Sequence, residues 1–269
     1  MFETILTNII SNFIVSAIVF IYALSSKFRI YVLVFIHYIK FKFISKKVIF
    51  IWNDDEKYYS DNIIASLKSR NNNFHYIALN APEEILFYPL LTKHVHLVNF
   101  FVSDVTKLSS NNKIREKIQI KILSYVAKGG TFVGTHDILY RRTKNEKFQV
   151  AFGCKITKFQ PVDEPIIYKV NETYKDHPIL EGLPDKFLLE DQEVCWGEWD
   201  EAVHKLLVSE IKYNGMTEEI PLFALKEYEN GRLIWINSGD KGEDGLCKSI
   251  KNPNGKLIHL LANVINFVH

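Results

Sequence analysis

Residues 111–137 carry the stretch that decides the fold, NNKIREKIQIKILSYVAKGGTFVGTHD. Apolar side chains recur at helical spacing through residues 111–127, and Gly129-Gly130 is typical of the end of a helix. Residues 131–135 form a short apolar run that predicts a strand entering a turn at His136. A helix that leads through glycines into such a strand is the building unit of an α/β fold.

The same alternation continues on both sides of this unit. A helical pattern ends near Arg70, and another closes the chain over residues 254–268. Further strands are predicted at 47–52, 74–79, 96–102, 165–170, 205–212, 221–228 and 232–237. The pattern predicts one α/β domain over residues 47–269, built on a parallel sheet with helices on both faces.

Polar residues gather where the predicted strands end. Ligands of open parallel sheets bind beyond the carboxyl ends of the strands. The predicted ligand-binding residues are Asn53, Asp54, Asp55, Asp104, Asp137, Ser238 and Asp240, with Trp196 as an aromatic candidate. Turn preferences alone explain any one of these positions, and core packing is the alternative for Trp196. The convergence of several positions on one sheet edge is what favours a site.

Charge is distributed unevenly along the chain. Six basic residues and one acidic residue give residues 1–47 a charge of +5, whereas the remaining 27 basic and 30 acidic residues give −3. A nucleic-acid-binding body needs its positive charge on the folded domain, so that class is excluded. Three widely spaced cysteines form neither a disulfide framework nor a metal-binding pair, which favours a reducing compartment.

Residues 5–24 form an uncharged run of the length that crosses a bilayer, about 30 Å as a helix. Basic residues follow this run instead of preceding it, which favours an uncleaved anchor over a signal peptide. We therefore expect a single-pass anchor in residues 1–26, with the N-terminus outside and the C-terminal domain in the cytoplasm. Its polar positions Asn8, Asn12 and Ser16 share one helical face and predict a homo-oligomer.

Residues 27–46 form a basic juxtamembrane segment. Its apolar run, 30–39, is too short to cross a bilayer alone. We expect an interfacial helix, with the basic residues of 27–47 against anionic membrane lipid. The alternative is a two-span hairpin, which places the domain on the other side of the membrane.

Three motifs carry a family resemblance. Residues 128–136, KGGTFVGTH, resemble the Gly-Gly, apolar strand and Gly-x-His stretch of the ThuA-like (trehalose utilisation) family. Residues 176–184, DHPILEGLP, resemble its His-Pro-Ile-x-x-Gly-Leu signature, and residues 191–196, DQEVCW, its Asp-Glu-x-Tyr element. The resemblance implies the flavodoxin-like fold of class I glutamine amidotransferases and a sugar or related small polar ligand. The family's late Gly-His-Asp resembles Ser238-Gly239-Asp240, without the histidine.

The candidate catalytic residues are His136, His177 and Glu193. His136 stands where the amidotransferase fold places its nucleophile, and the absence of a cysteine there excludes a glutaminase. Imidazole suits a general base or a metal ligand, and Glu193 suits an acid/base group or a carboxylate that orients it. The three residues also make a two-His-one-carboxylate set for a divalent metal, and no other cofactor is implied. The alternatives are structural roles: His136 as a hydrogen-bonded residue of the fold, and His177 as a residue that fixes a turn.

Three functions remain open from sequence. One is an enzyme, a hydrolase or isomerase acting on a sugar-like substrate by acid/base or metal-assisted chemistry. Another is a non-catalytic sensor that reports a bound metabolite to the membrane segment. The third is an oligomeric membrane effector or scaffold. Convergence of His136, His177 and Glu193 favours the first two.

Overall fold

The computed structural model describes most of the chain outside residues 1–25. The described residues are 16, 26–43, 46–54, 57–102, 105–161, 166–189, 193–213, 216–237 and 255–268. The chain divides into two compact units. The smaller comprises Met1–Ser45 and Phe87–Pro89, and the larger comprises Lys46–Leu86 and Leu90–His269.

The described part of the smaller unit is one helix, α1 (Ser26–Phe43), with the segment Phe87–Pro89. The ring of His37 lies 4.2 Å from that of Tyr88, and Phe41 stacks on the same tyrosine at 5.9 Å. The predicted span, 5–24, lies outside the described residues except for Ser16. Within the described residues, no helix combines the length and the apolar character needed to cross a membrane.

The described residues of the larger unit form a nine-stranded sheet, a two-stranded ribbon and four α-helices. Its strands are β1 (Val48–Asn53), β2 (His75–Ala78), β3 (Val95–Phe101), β4 (Thr131–Thr135), β5 (Cys154–Pro161), β6 (Ile166–Val170), β7 (Lys186–Leu189), β8 (Glu193–Trp199), β9 (His204–Tyr213), β10 (Met216–Tyr228) and β11 (Gly231–Ile236). Its helices are α2 (Lys57–Arg70), α3 (Asn112–Val126), α4 (Glu146–Phe152) and α5 (Lys256–Phe267). The strand order is β2-β1-β3-β4-β11-β10-β9-β6-β7, and β5 pairs with β8 in a separate two-stranded ribbon.

The sheet is mixed, which corrects the expectation of a parallel sheet throughout. Strands β2, β1, β3, β4 and β11 are parallel, and every residue of β1, β3 and β4 is buried, as in central strands covered on both faces. From β11 outward through β10, β9, β6 and β7 each pair is antiparallel. Only two residues separate β10 from β11, a connection that closes a hairpin but cannot make a parallel crossover.

The sequence pattern missed four elements: β5, β7, β8 and α4. Both strands of the ribbon are among them, with Phe159 of β5 opposite Cys195 of β8 and Pro161 opposite Glu193. In β5 the two consecutive polar residues Thr157 and Lys158 interrupt the alternation of apolar and polar side chains, so the segment lacks the strand pattern of its neighbours. The ribbon is the element that completes the candidate site.

Candidate functional site

His136 lies at a sharp turn directly after β4, at the carboxyl edge of the parallel half of the sheet. Its backbone is in the left-handed region, with φ of 37°. Two residues earlier, a Cβ on Gly134 would lie 2.6 Å from the side chain of Ile138. The Gly-x-His pattern therefore has a physical basis, because the turn folds back against the strand that precedes it.

Three hydrogen bonds fix this turn to the neighbouring strands. The hydroxyl of Thr135 accepts from the backbone N–H of Val102 at 2.9 Å, and the backbone N–H of Asp137 donates to the Val102 carbonyl at 3.1 Å. The indole N–H of Trp235, a fully buried residue of β11, donates to the His136 carbonyl at 2.9 Å. The turn that carries the imidazole is thus fixed from both sides, by Val102 after β3 and by Trp235 of β11.

The ribbon covers the imidazole. The ring of Phe159 stacks on that of His136 at 4.1 Å and 20°. Glu193, the first residue of β8, approaches the imidazole at Nε2, and the side chain of buried Asn237 donates to the Glu193 carbonyl at 2.8 Å. Residues from β4, β5, β8 and the end of β11 therefore meet at one point.

His136 is clamped between two carboxylates. Its Nδ1 lies 3.4 Å from Oδ1 of Asp137, and its Nε2 lies 3.4 Å from Oε2 of Glu193. These separations are long for hydrogen bonds, so we describe both contacts as ion pairs. The His136 side chain is 1% exposed, whereas that of Glu193 is 20% exposed. Glu193 is therefore the member of the pair that faces solvent.

The electrostatics of the clamp favour an imidazolium. Burial acts to lower the pKa of His136, but the adjacent carboxylates of Asp137 and Glu193 outweigh it and raise the pKa to about 9. The ring is consequently protonated at neutral pH. A protonated imidazole must lose that proton before it can act as a general base or a metal ligand, so both of those roles for His136 stay predictions.

His177 lies at the opposite edge of the sheet. Its Nδ1 accepts from the backbone N–H of Ile179, which makes it the N-cap of a short 3₁₀ turn. Its ring packs on Phe267 at 4.9 Å, and Arg232 lies over the same phenylalanine. Arg232 pairs with Thr131 at the start of β4, about 16 Å along the strand from His136. Burial and the charges of Arg232 and His204 lower the pKa of His177.

The structure therefore does not assemble the predicted metal site of His136, His177 and Glu193. Glu193 and His136 are neighbours, but His177 is remote from both and instead shapes a turn. Among the described residues, no three His, Cys, Asp or Glu side chains are arranged to hold a metal ion.

The remaining predicted ligand-binding residues divide into three groups. Asn53 and Asp54 lie at the carboxyl end of β1, where the N–H of Asp54 donates to the Phe101 carbonyl of β3 at 3.0 Å. Asp137 belongs to the clamp. Outside the described residues lie Asp55, Asp104, Ser238 and Asp240.

Trp196 lies away from the clamp. It is three residues after Glu193 on β8, and successive side chains of a strand point to opposite faces, so the two are on different faces of the ribbon. Trp196 lines a separate cavity of about 270 Å³ together with Trp199 and Lys205. That Trp196 contacts a ligand stays a prediction.

The comparisons with known proteins agree with this fold. The model of a family described as "ThuA: Trehalose utilisation" matches residues 50–248. The chain belongs to the ThuA family. No curated protein matches its sequence.

Solved structures with the ThuA fold resemble this domain. A putative ThuA-like protein from Bacteroides uniformis is 18% identical, with a TM-score of 0.57, over 83% of this chain and 91% of that one. One from Parabacteroides merdae is 14% identical, with a TM-score of 0.56, over 83% and 90%. A cytoplasmic protein from Salmonella typhimurium is 13% identical, with a TM-score of 0.54, over 82% and 99%. At these identities the likeness shows the fold alone.

Sequence reasoning missed three residues that build the clamp. Phe159 lies in a strand that the pattern did not predict, so nothing in the local sequence marks it. Trp235 is a typical core residue of a buried strand, and only the bond from its indole to the turn reveals its role. Asn237 follows β11 and had a local signal, because a polar residue at a strand end is typical of a site.

Proposed function

We propose that this ThuA-family domain binds a small, neutral, polyhydroxylated ligand of the sugar type at the carboxyl edge of its sheet, with Glu193 as the principal contact. The observation that carries the proposal is the clamp: a partly exposed carboxylate held by a buried imidazolium. The family's description, trehalose utilisation, supports the ligand class.

The clamp suits hydroxyl recognition. The Nε2 of His136 lies 3.4 Å from Oε2 of Glu193, and this contact restrains the carboxylate. The other oxygen then accepts hydrogen bonds from hydroxyl groups, which are stronger when the acceptor is ionised. The backbone of Glu193 is restrained as well by its bond from Asn237. Little conformational entropy is then lost when the ligand binds.

Charge at this edge favours a neutral ligand over an anionic one. Directly against the ring of His136 the structure describes two carboxylates, those of Asp137 and Glu193, and together they carry one more negative charge than the imidazolium balances. A phosphorylated or acidic sugar would meet net repulsion here, whereas an unmodified sugar would not. Selectivity against the phosphate ester is a direct consequence of the proposal.

Acid/base catalysis is a second candidate, because the same arrangement places a proton donor beside a carboxylate. Glu193 can take a proton from a bound hydroxyl group and return it at the end of the reaction, while His136 holds the carboxylate in place. Binding alone and binding followed by proton transfer predict the same contacts. They differ only in whether the bound ligand is converted to product.

Replacing Glu193 tests the proposal. We expect Glu193→Gln in the full-length chain to weaken binding of trehalose or a related neutral disaccharide at least tenfold, about 1.4 kcal/mol, because it removes the ionised acceptor. Glu198→Gln, at an exposed position on the same strand, is the matched control and should bind like the wild type. Isothermal titration calorimetry measures both.

Two results would contradict the proposal. One is equal affinity of Glu193→Gln and the wild type for every neutral sugar that binds. The other is preferential binding of the sugar phosphate. Product formation by the wild type, lost in Glu193→Gln, would select the catalytic version.

A further inference from the structure

We propose that helix α1 lies in the surface of an anionic membrane, with one face in contact with lipid. An apolar stripe made of Tyr31, Phe35, Ile39 and Phe43 runs along this helix at four-residue spacing. These side chains are between 40% and 84% exposed. Residues four apart lie on the same side of a helix, so the stripe is one continuous face.

The opposite face of α1 is already occupied. His37 and Phe41 carry the ring contacts with Tyr88. At 100° per residue these two positions lie on the far side of the helix from Phe35 and Ile39. The helix therefore has one packed side and one apolar side without a described protein partner.

Charge identifies the occupant as a lipid surface. Lys27, Arg29, Lys40 and Lys42 lie on the helix, and Lys46 and Lys47 follow it, while no acidic residue occurs between Glu3 and Asp54. Basic residues beside an apolar helical face are typical of helices that bind anionic headgroups. A second copy of the same segment would bring like charges together, which disfavours self-association through this face.

Length places the helix in the surface and not across it. The charges at Arg29 and Lys40 leave only ten uncharged residues between them, about 15 Å of helix, half of the hydrocarbon thickness. Aromatic residues such as Tyr31 are common at the level of the headgroups. The proposal concerns α1 alone and does not depend on the ligand proposed for the larger unit.

A spin label at Phe35 tests the proposal in the full-length chain. Cys247→Ser is made in each variant, and Cys154 and Cys195 are buried. With vesicles of phosphatidylcholine and phosphatidylserine, a label on Phe35→Cys should lose most of its collisions with a water-soluble nickel chelate and gain collisions with oxygen. A label on Val150→Cys is the matched control, because Val150 is also an exposed apolar residue, and it should not change.

The lipid composition and the depth of the label separate the alternatives. Vesicles of phosphatidylcholine alone, or added salt, should give weaker protection. Equal protection in both kinds of vesicle overturns the role of charge. A label at the bilayer centre overturns the surface position in favour of a spanning hairpin. Full exposure of the label to the chelate in both kinds of vesicle overturns the lipid contact. Spin–spin broadening without vesicles also overturns it, because that result shows a second copy of the chain on this face.

Discussion

Raising the pH from about 7 to about 10 should cost the wild-type chain on the order of 3 kcal/mol of unfolding free energy that a His136→Gln variant does not lose. The folded-state pKa of His136, about 9, is above its ordinary value of 6.5. A raised pKa means that the folded state binds the proton more tightly than the unfolded state. The stabilisation is therefore complete below about pH 6.5 and disappears as the pH rises through about 9.

Chemical denaturation at a series of pH values measures this effect as the difference between the two chains. Glutamine keeps a polar side chain between Asp137 and Glu193 but does not titrate. The difference in unfolding free energy between the wild type and His136→Gln should therefore narrow as the pH rises. His94→Gln is the matched control. Burial, and to a lesser extent the charge of Lys93, lower the pKa of His94, so this residue does not titrate between pH 7 and pH 10. The free energy of unfolding of His94→Gln should therefore follow that of the wild type in parallel over this range. Parallel curves for His136→Gln as well would contradict the raised pKa and, with it, the imidazolium.

Gly231→Ala should lower the free energy of unfolding by about 3 kcal/mol or more. A Cβ at Gly231 would overlap the carbonyl oxygens of Val126 and Gly130. Backbone atoms cannot rotate away as a flexible side chain can, so either β11 or the end of α3 must move. Because β11 carries Trp235 and leads to Asn237, that movement also disturbs the clamp around His136.

Gly129→Ala is the matched comparison at the same corner of the fold. There a Cβ would meet only the Asn230 carbonyl, at an ordinary distance of 3.6 Å, but the backbone φ of 96° strains any residue with a side chain. We expect a loss of about 1–3 kcal/mol for that strain. Thermal and denaturant unfolding rank the two variants. A Gly231→Ala chain as stable as Gly129→Ala would contradict the tight approach of β11 to α3.

Local sequence was sufficient where the chain interacts with its own neighbours. The helix over residues 112–126, its glycine end and the strand over 131–135 were predicted within a residue or two, because apolar spacing and glycine positions decide such elements locally. The turn at His136 was predicted for the same reason. The family motifs at 128–136 also come from this stretch, and the family is confirmed.

Strand direction could not be predicted in the same way. Apolar runs such as 205–212 and 221–228 are compatible with parallel and antiparallel neighbours alike, since a strand that is buried on both faces shows no alternation that marks its partner. The short connections between β9, β10 and β11 decide the direction, and their lengths become visible only when the strand ends are known to within a residue.

The sequence by itself determined the α/β class, the turn that presents His136 and the candidate residues His136 and Glu193. Only the tertiary structure decided that these two meet, 57 positions apart, and that His177 does not join them. The cause is the ribbon of β5 and β8, whose register sets Pro161 against Glu193 and stacks Phe159 on the imidazole. Register and strand order arise from contacts between distant segments. The protonation state of His136 follows from them, because two carboxylates raise its pKa against the effect of burial only when the fold brings both beside one ring.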